Sequence, residues 1–433
     1  MSNSLTRRQL MAAGTALSCA ALVPGGRIAL AAVPKLEDAV QAAARGAVES
    51  GDIPGVVAQV WQKGELVADA TAGWLDLERK VPMDSGAIFG LASMTKPVTV
   101  ALALKLVDEG KLRLDDPITR WAPEFANMRV LRRPDGPLDD TVPAARPITI
   151  EDLMMHRSGL AYGFLAPLPL GAALMSRIGM GIASEMTPAA WLKTIAELPL
   201  VYQPGERFNY GHSIDVLGFV AARVLGTDLA SAMREHLLEP LGMDDTGFAV
   251  APEKRARIAT FYISAQAGQF TPSTVDAFTT DKPMAHLGGQ GLASTAADYL
   301  RFARMLLNDG RLDRVRVLKP ETVRMMLSNR YTDEQRKYPF VAGAPFTQGF
   351  GLGVSVVIDD KVPGIVTGRV GTFGWPGAFG GWWQADPQEE LILIWLQECT
   401  PAPPQPGAAT LPRIPGTQGQ RQFRQSVYEA LDA

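Results

Sequence analysis

Apolar and polar positions alternate along the chain in two rhythms, and each predicts its own kind of element. Residues 36–50 carry apolar side chains at helical spacing and predict an amphipathic helix. Gly55–Trp61 and Glu65–Thr71 read as two strands joined by the loop Gln62-Lys63-Gly64. Ile88–Ala92 leads straight into Ser93. The run from Ser93 to Gly110 is apolar on nearly all sides, which predicts a helix buried in a large core. Pro97 fits its first turn and Gly110 ends it.

The middle of the chain reads as mostly helical. Thr149-Ile150-Glu151-Asp152 has the form of a capping box and opens a short helix to His156, which reads as a helix-end residue. Residues 161–186 lack a clear period and read equally as a flap over a site or a buried connection. Helices are predicted from Pro188 through Ala196, over Ile214–Leu225 with Gly226 as its stop, and over Leu229–Leu238. Others follow over Ala296–Asn308, after a Gly-rich bend at 288–295, and over Pro320–Leu327. The last part turns to strands. These are Phe350–Val357, then Gly381–Ala385 paired with Leu391–Leu396, before a closing helix over Gln420–Leu431. Strands at both ends with helices between them predict an α+β fold, one sheet closed by the two termini. The proline-rich stretch 401–415 reads as an extended surface loop.

Composition narrows the function classes. The 433 residues are 47% hydrophobic and 20% charged, as in a soluble globular protein. A net charge of -3 without a basic tract argues against nucleic acid as a partner. The four histidines show no metal spacing, and no phosphate-cradling glycine loop is present, so neither a metal nor another cofactor is expected. Residues 1–31 have the form of an export signal: Arg7-Arg8, an apolar stretch, then Ala29-Leu30-Ala31 as a small-x-small cleavage site. The arginine pair resembles a twin-arginine signal. A general secretory signal and a lipoprotein anchor at Cys19 are the alternatives. The expectation is an exported protein, periplasmic or secreted, with no stable membrane span once the signal is removed. Cys399 would then be the one remaining cysteine, and no intrachain disulfide could form.

Candidate chemistry begins at Ser93-Met94-Thr95-Lys96. Residues three apart on a helix share a face, so the Ser93 hydroxyl and the Lys96 amine can meet. A serine needs a base to become a nucleophile, and an amine relieved of its proton by burial or nearby charge can be that base. The helix N-terminus offers free N–H groups to a developing oxyanion. Ser-x-x-Lys alone is a common pattern; its company makes it specific. Tyr210-Gly211-His212 and Trp375-Pro376-Gly377-Ala378 follow in order. Between and around them lie His156-Arg157-Ser158-Gly159-Leu160, Gln203-Pro204-Gly205, Gly291-Leu292-Ala293-Ser294-Thr295 and Gly349-Phe350-Gly351-Leu352-Gly353.

This series resembles the serine β-lactamase-like superfamily, most closely class C β-lactamases and family VIII carboxylesterases, over about residues 36–431. The resemblance implies a β-lactamase/penicillin-binding-protein-like fold, with an antiparallel sheet from both termini flanked by helices and a mainly helical lobe. It implies Ser93 as the acylated nucleophile and Lys96 as its hydrogen-bonded partner and candidate base. It implies Tyr210 as the group that moves protons, and the N–H groups of Ser93 and Ala378 as an oxyanion hole. A phenol ionises near about 10, so a tyrosine acts as a base beside cations such as Lys96.

Two departures bear on substrate. His212 stands where the family has the asparagine of Tyr-x-Asn, and is either a polar site residue or a packed neighbour. Trp375-Pro376-Gly377 stands where β-lactamases have Lys-Thr-Gly, which removes the cation and hydroxyl that hold a β-lactam carboxylate. Trp375, Gly377 and His212 are the candidate substrate-binding residues. The expected partner is a small ester or amide, and the expected activity that of a serine carboxylesterase. The alternatives are a β-lactamase, a D-alanyl-D-alanine-type peptidase, an acyltransferase using the same acyl-enzyme, or a non-catalytic binding protein. Oligomeric state is not legible.

Overall fold

The computed structural model describes residues 36–179, 184–273, 278–279, 285–337, 348–362, 364–402 and 413–432. The export signal read over 1–31 and most of the proline-rich stretch lie outside the described residues. Leu36–Ala433 forms one compact unit.

An eight-stranded antiparallel sheet runs through this unit. Helix α1 (Leu36–Glu49) precedes β1 (Gly55–Gln62), β2 (Glu65–Asp76) and β3 (Val81–Pro82). After them come α2 (Thr95–Asp108), α3 (Ser213–Leu225) and α4 (Ala296–Leu307). The chain then returns to the sheet as β4 (Gly349–Phe350), β5 (Ser355–Val356), β6 (Phe373–Pro376), β7 (Trp382–Asp386) and β8 (Leu391–Leu396), and ends in α5 (Thr417–Leu431). The strand order is β4-β5-β6-β7-β8-β1-β2-β3, so the chain's last strand of this sheet lies beside its first, with Val57 opposite Leu396. This is the α+β architecture expected from the strands at both termini.

The alternation of side chains sorts the core into two layers. Val56, Ala58 and Val60 of β1 and Leu391, Leu393 and Trp395 of β8 face α1 and α5, where they meet Val40, Ala44, Phe423 and Val427. Fully burying Phe423 alone contributes about 1.5–3 kcal/mol. Gly419 of α5 lets the helices close: a Cβ there would stand 2.7 Å from the Ala47 methyl. Val57, Ile392 and Ile394 face the opposite way, into the larger core that holds α2, α3 and α4. Eleven of the fourteen residues of α2 are buried, as its all-round apolarity predicts.

Several elements differ from expectation. The apolar run 350–357 is a tight hairpin rather than one strand: Gly349 pairs with Val356 and Phe350 with Ser355. Glycine forces this. Gly353 has φ +76, and a Cβ on Gly351 would stand 2.0 Å from the Met326 carbonyl oxygen. The helix expected over 229–238 is α-helical over Leu229–Met233 and widens to a π-helical turn over Arg234–Leu238. A three-stranded sheet of Phe261–Gln266, Gln269–Ser273 and Cys399–Pro401 was not legible in the sequence. Residues 161–179 form a turn and the helix Leu170–Arg177, which buries Leu170 and Leu174 while Phe164 and Leu168 stay exposed. Among the described residues no single helix is long and apolar enough to cross a membrane.

Candidate active site

Ser93 sits in a single 3-10 turn, Ala92–Met94, fused to the start of α2. Ala92 takes a left-handed conformation, φ +43, which an L-residue adopts at a cost of about 1–3 kcal/mol. The surrounding structure holds it there. Leu91 N–H donates to the Leu292 carbonyl at 2.8 Å, and Leu292 N–H donates to Thr95 Oγ1 at 3.1 Å. Tyr299 O–H donates to the Met94 carbonyl at 2.9 Å. Phe89 and Gly90 pair with Ser294 and Ala293. The Gly-rich bend 288–295 is therefore stitched to both sides of Ser93.

The turn presents Ser93 to two side chains. Lys96 Nζ donates to Ser93 Oγ at 3.0 Å, from one turn along the same helix. Tyr210 O–H donates to the same oxygen at 2.7 Å, although 117 residues separate the two in sequence. Lys96 is buried, and its Nζ also lies 4.7 Å from the centre of the Tyr210 ring.

Tyr210 is placed by the segment 156–161. Asn209 N–H donates to the His156 carbonyl at 2.7 Å, and Asn209 Nδ2 donates to the Leu160 carbonyl at 2.8 Å. Gly211 fits here because a Cβ would stand 2.3 Å from that Leu160 oxygen. The His156-Arg157-Ser158-Gly159-Leu160 phrase is thus the ledge under Tyr210. His156 is the residue just past a short helix, with φ +53, as its sequence suggested. Its ring lies 4.7 Å from that of Tyr210. Burial first, and the nearby charge of Lys96 second, hold its imidazole well below the ordinary range, so it is neutral.

Trp375 on β6 closes the site from the sheet side. Its indole Nε1 donates to Tyr210 OH at 3.4 Å, and its ring packs edge-on against Phe350. Gly377 follows, pressed so close that a Cβ would stand 2.5 Å from the Leu91 carbonyl oxygen. Ala378 lies exposed in the turn that Gly380 N–H closes onto the Gly377 carbonyl at 3.0 Å, and no backbone acceptor among the described residues takes its N–H. The Ser93 N–H precedes the first bonded donor of its turn, Met94. Both amides belong to segments brought together where Gly377 meets Leu91.

His212 lies elsewhere. It is buried, its Nδ1 stands 2.8 Å from Asp215 Oδ2, and its ring meets Tyr162 and Trp191. Its described contacts are with these residues and not with Ser93. Sequence reading missed Asp215, Tyr162 and Gly289, all of which pack around Lys96 or its partners. The spacing of His212 and Asp215, three apart in the first turn of α3, was the available signal. Burial first, then the charges of Asp215 and Tyr210, push the Tyr162 phenol well above its ordinary range.

A buried carboxyl beside Gly90, three residues before Ser93, was also missed. Glu398 Oε2 accepts the Gly90 N–H at 2.8 Å. Burial pushes its carboxyl well above the ordinary range, partly opposed by that hydrogen bond. The folded state therefore keeps a proton that the unfolded chain gives up above about pH 4.3. The stability this contributes is full below that pH and is lost as pH rises toward the raised value, at up to about 1.4 kcal/mol per pH unit. Glu398→Gln, neutral at all pH, is expected to melt with a flatter pH dependence than wild type between about pH 5 and 8. Parallel melting curves across that range would show that Glu398 is ionised in the folded protein.

Among the described residues no group of three or more His, Cys, Asp or Glu could hold a metal ion. The family model described as Beta-lactamase matches residues 40–413. The "Uncharacterized protein MT1414" of Mycobacterium tuberculosis is 48% identical over 84% of this chain and 90% of its own. Esterase EstB of Burkholderia gladioli is 31% identical over 79% of this chain and 85% of its own. The solved structure of "EstCE1, a hydrolase with promiscuous acyltransferase activity" superposes with a TM-score of 0.76 at 26% identity, covering 91% of this chain and 98% of the other. On the fold, the matched length and these relatives, the chain belongs to the beta-lactamase family, in the branch that holds esterases and acyltransferases.

Proposed function

We propose that this protein is a serine carboxylesterase that works through a covalent acyl-serine. The observation that carries the reading is the double hold on Ser93 Oγ, 3.0 Å from Lys96 Nζ and 2.7 Å from Tyr210 OH. Ser93 Oγ attacks the ester carbonyl carbon while its proton passes to the Lys96–Tyr210 pair, whose accepting member has first given up its own proton. The carbonyl oxygen becomes an oxyanion, held by the N–H groups of Ser93 and Ala378. Tyr210 returns the proton to the alkoxide as the C–O bond breaks, and the alcohol leaves. Water then attacks the acyl-serine by the same route in reverse order.

The choice of a neutral ester rests on Trp375. Its indole is buried against Tyr210 where relatives acting on penicillins place a lysine, so this wall offers no cation to a carboxylate. An alcohol can replace water as acceptor, a reading favoured by the acyltransferase activity named for EstCE1.

The test pairs a short-chain p-nitrophenyl ester with a chromogenic cephalosporin, and reads the intact mass of the quenched enzyme. Ester kcat/KM should exceed that for the cephalosporin by on the order of 100-fold, with one acyl group on Ser93. Equal or faster cephalosporin turnover would overturn the ester preference. Ester turnover with no adduct on Ser93 under burst conditions would overturn the mechanism.

A further inference from the structure

Lys96 makes a second hydrogen bond that the reaction above does not use. Its Nζ donates to the Gly289 carbonyl at 2.7 Å, across 193 residues of sequence. The other side of that residue is held as firmly: Gly289 N–H donates to Asp215 Oδ1 at 2.7 Å. Asp215 Oδ2 in turn stands 2.8 Å from His212 Nδ1. Asp215 has 0% exposure and His212 has 1%. A carboxylate so deeply buried costs several kcal/mol unless partnered. Here its partners are the Gly289 N–H, the His212 ring and the first turn of α3, whose free N–H groups favour negative charge.

The path needs glycine at 288 and 289. A Cβ on Gly289 would stand 2.7 Å from Asp215 Oδ1, and one on Gly288 would stand 2.9 Å from the Ile214 carbonyl oxygen. Thr99 Oγ1, one turn beyond Lys96 on α2, donates to the Gly288 carbonyl at 2.6 Å. The glycine pair is therefore pinned between α2 and α3. One face of it meets the lysine and the other meets the acid.

We infer that Asp215, held by His212, is a positioning residue that sets the placement and charge environment of Lys96 through Gly289. This rests on the esterase reading, in which Lys96 serves Ser93. It gives His212 a task behind the site rather than on the substrate. A carboxylate accepting from the N–H side of Gly289 anchors the residue whose carbonyl receives the lysine. Its negative charge also favours the protonated state of the cluster. The titratable groups that face this cluster are Tyr210 and Tyr162 around Lys96, His156 behind Tyr210, and His212 and Tyr162 around Asp215. Tyr162 and His156 are held neutral by burial and add no charge to the cluster.

The experiment compares the full chain with Asp215→Asn and Gly289→Ala. Asparagine retains an acceptor for the Gly289 N–H and a polar partner for His212, and removes only the charge. Alanine at 289 pushes the link apart from the other end and leaves Asp215 intact. Each is expected to lower ester kcat by about tenfold to a hundredfold with little change in KM. In Asp215→Asn the acidic limb of the pH–kcat/KM profile should also move to lower pH. Wild-type kcat and a superimposable pH profile in folded Asp215→Asn would overturn the inference. If that variant fails to fold, wild-type kcat in folded Gly289→Ala would do the same. Acylation of wild-type Ser93, measured in the same samples, separates a failure here from a failure of the esterase reading.

Discussion

Ser93→Ala is expected to lower ester turnover by on the order of 10^4- to 10^6-fold, to the background left by binding and the oxyanion donors alone. Its fold should survive. Ser93 is partly exposed, and its hydroxyl makes contacts to Lys96 and Tyr210 rather than to the core. The measurements are p-nitrophenyl ester hydrolysis and the thermal midpoint, taken on the same preparations. A midpoint within a few degrees of wild type makes the loss chemical. Lys96 loses a partner in this variant but keeps the Gly289 carbonyl at 2.7 Å, so its amine is not left without an acceptor. Activity within tenfold of wild type would mean that another group attacks the ester.

Tyr210→Phe is the next largest effect, a fall in kcat of about 10^2- to 10^4-fold, the usual range for a positioned proton-transfer group. The substitution keeps the ring, and with it the packing against His156 at 4.7 Å and against Trp375 at 5.8 Å. It removes the 2.7 Å hydrogen bond to Ser93 and the acceptor for the Trp375 indole at 3.4 Å. On the proposed mechanism both acylation and deacylation use that hydroxyl, so acyl-enzyme should form slowly and also persist. Mass spectrometry after brief exposure to ester reads both. Near-normal kcat in Tyr210→Phe would move the whole proton-transfer task to Lys96.

Much of this architecture was legible because it is local. Ser93 and Lys96 are one helical turn apart, and the apolar surroundings of α2 are written in its own residues. The β7–β8 hairpin follows from apolar runs flanking Asp386–Glu390, and the two terminal sets of strands implied the shared sheet. Tyr210 was reached through family resemblance, since nothing near it in sequence says that it meets Ser93. The link from Lys96 through Gly289 to Asp215 was hidden for the same reason: its contacts span 193 and 74 residues. The hairpin at 349–356 was misread because its apolar residues obey the strand pattern. The turn is written in glycine backbone needs, which periodicity does not report. Ala92 illustrates the limit best. Its left-handed backbone runs against its own preference and is imposed by contacts from residues near 292.

The seam between β8 and β1 has a bearing on how the molecule is made. Val57 pairs with Leu396, and six residue pairs from Val57–Leu396 to Gln62–Leu391 knit the middle of the sheet. On the ribosome β1 emerges before α2, α3 and α4 and waits for a neighbour that is translated after them. Until β8 is made, one long side of β1 is an open edge, with three valines among its eight residues, of the kind that recruits other chains. The large sheet closes only once β8 has been made, after α2, α3 and α4. Closure of the sheet is thus a late step in the order in which these elements are made, and the interval before it is when β1 has most need of a chaperone.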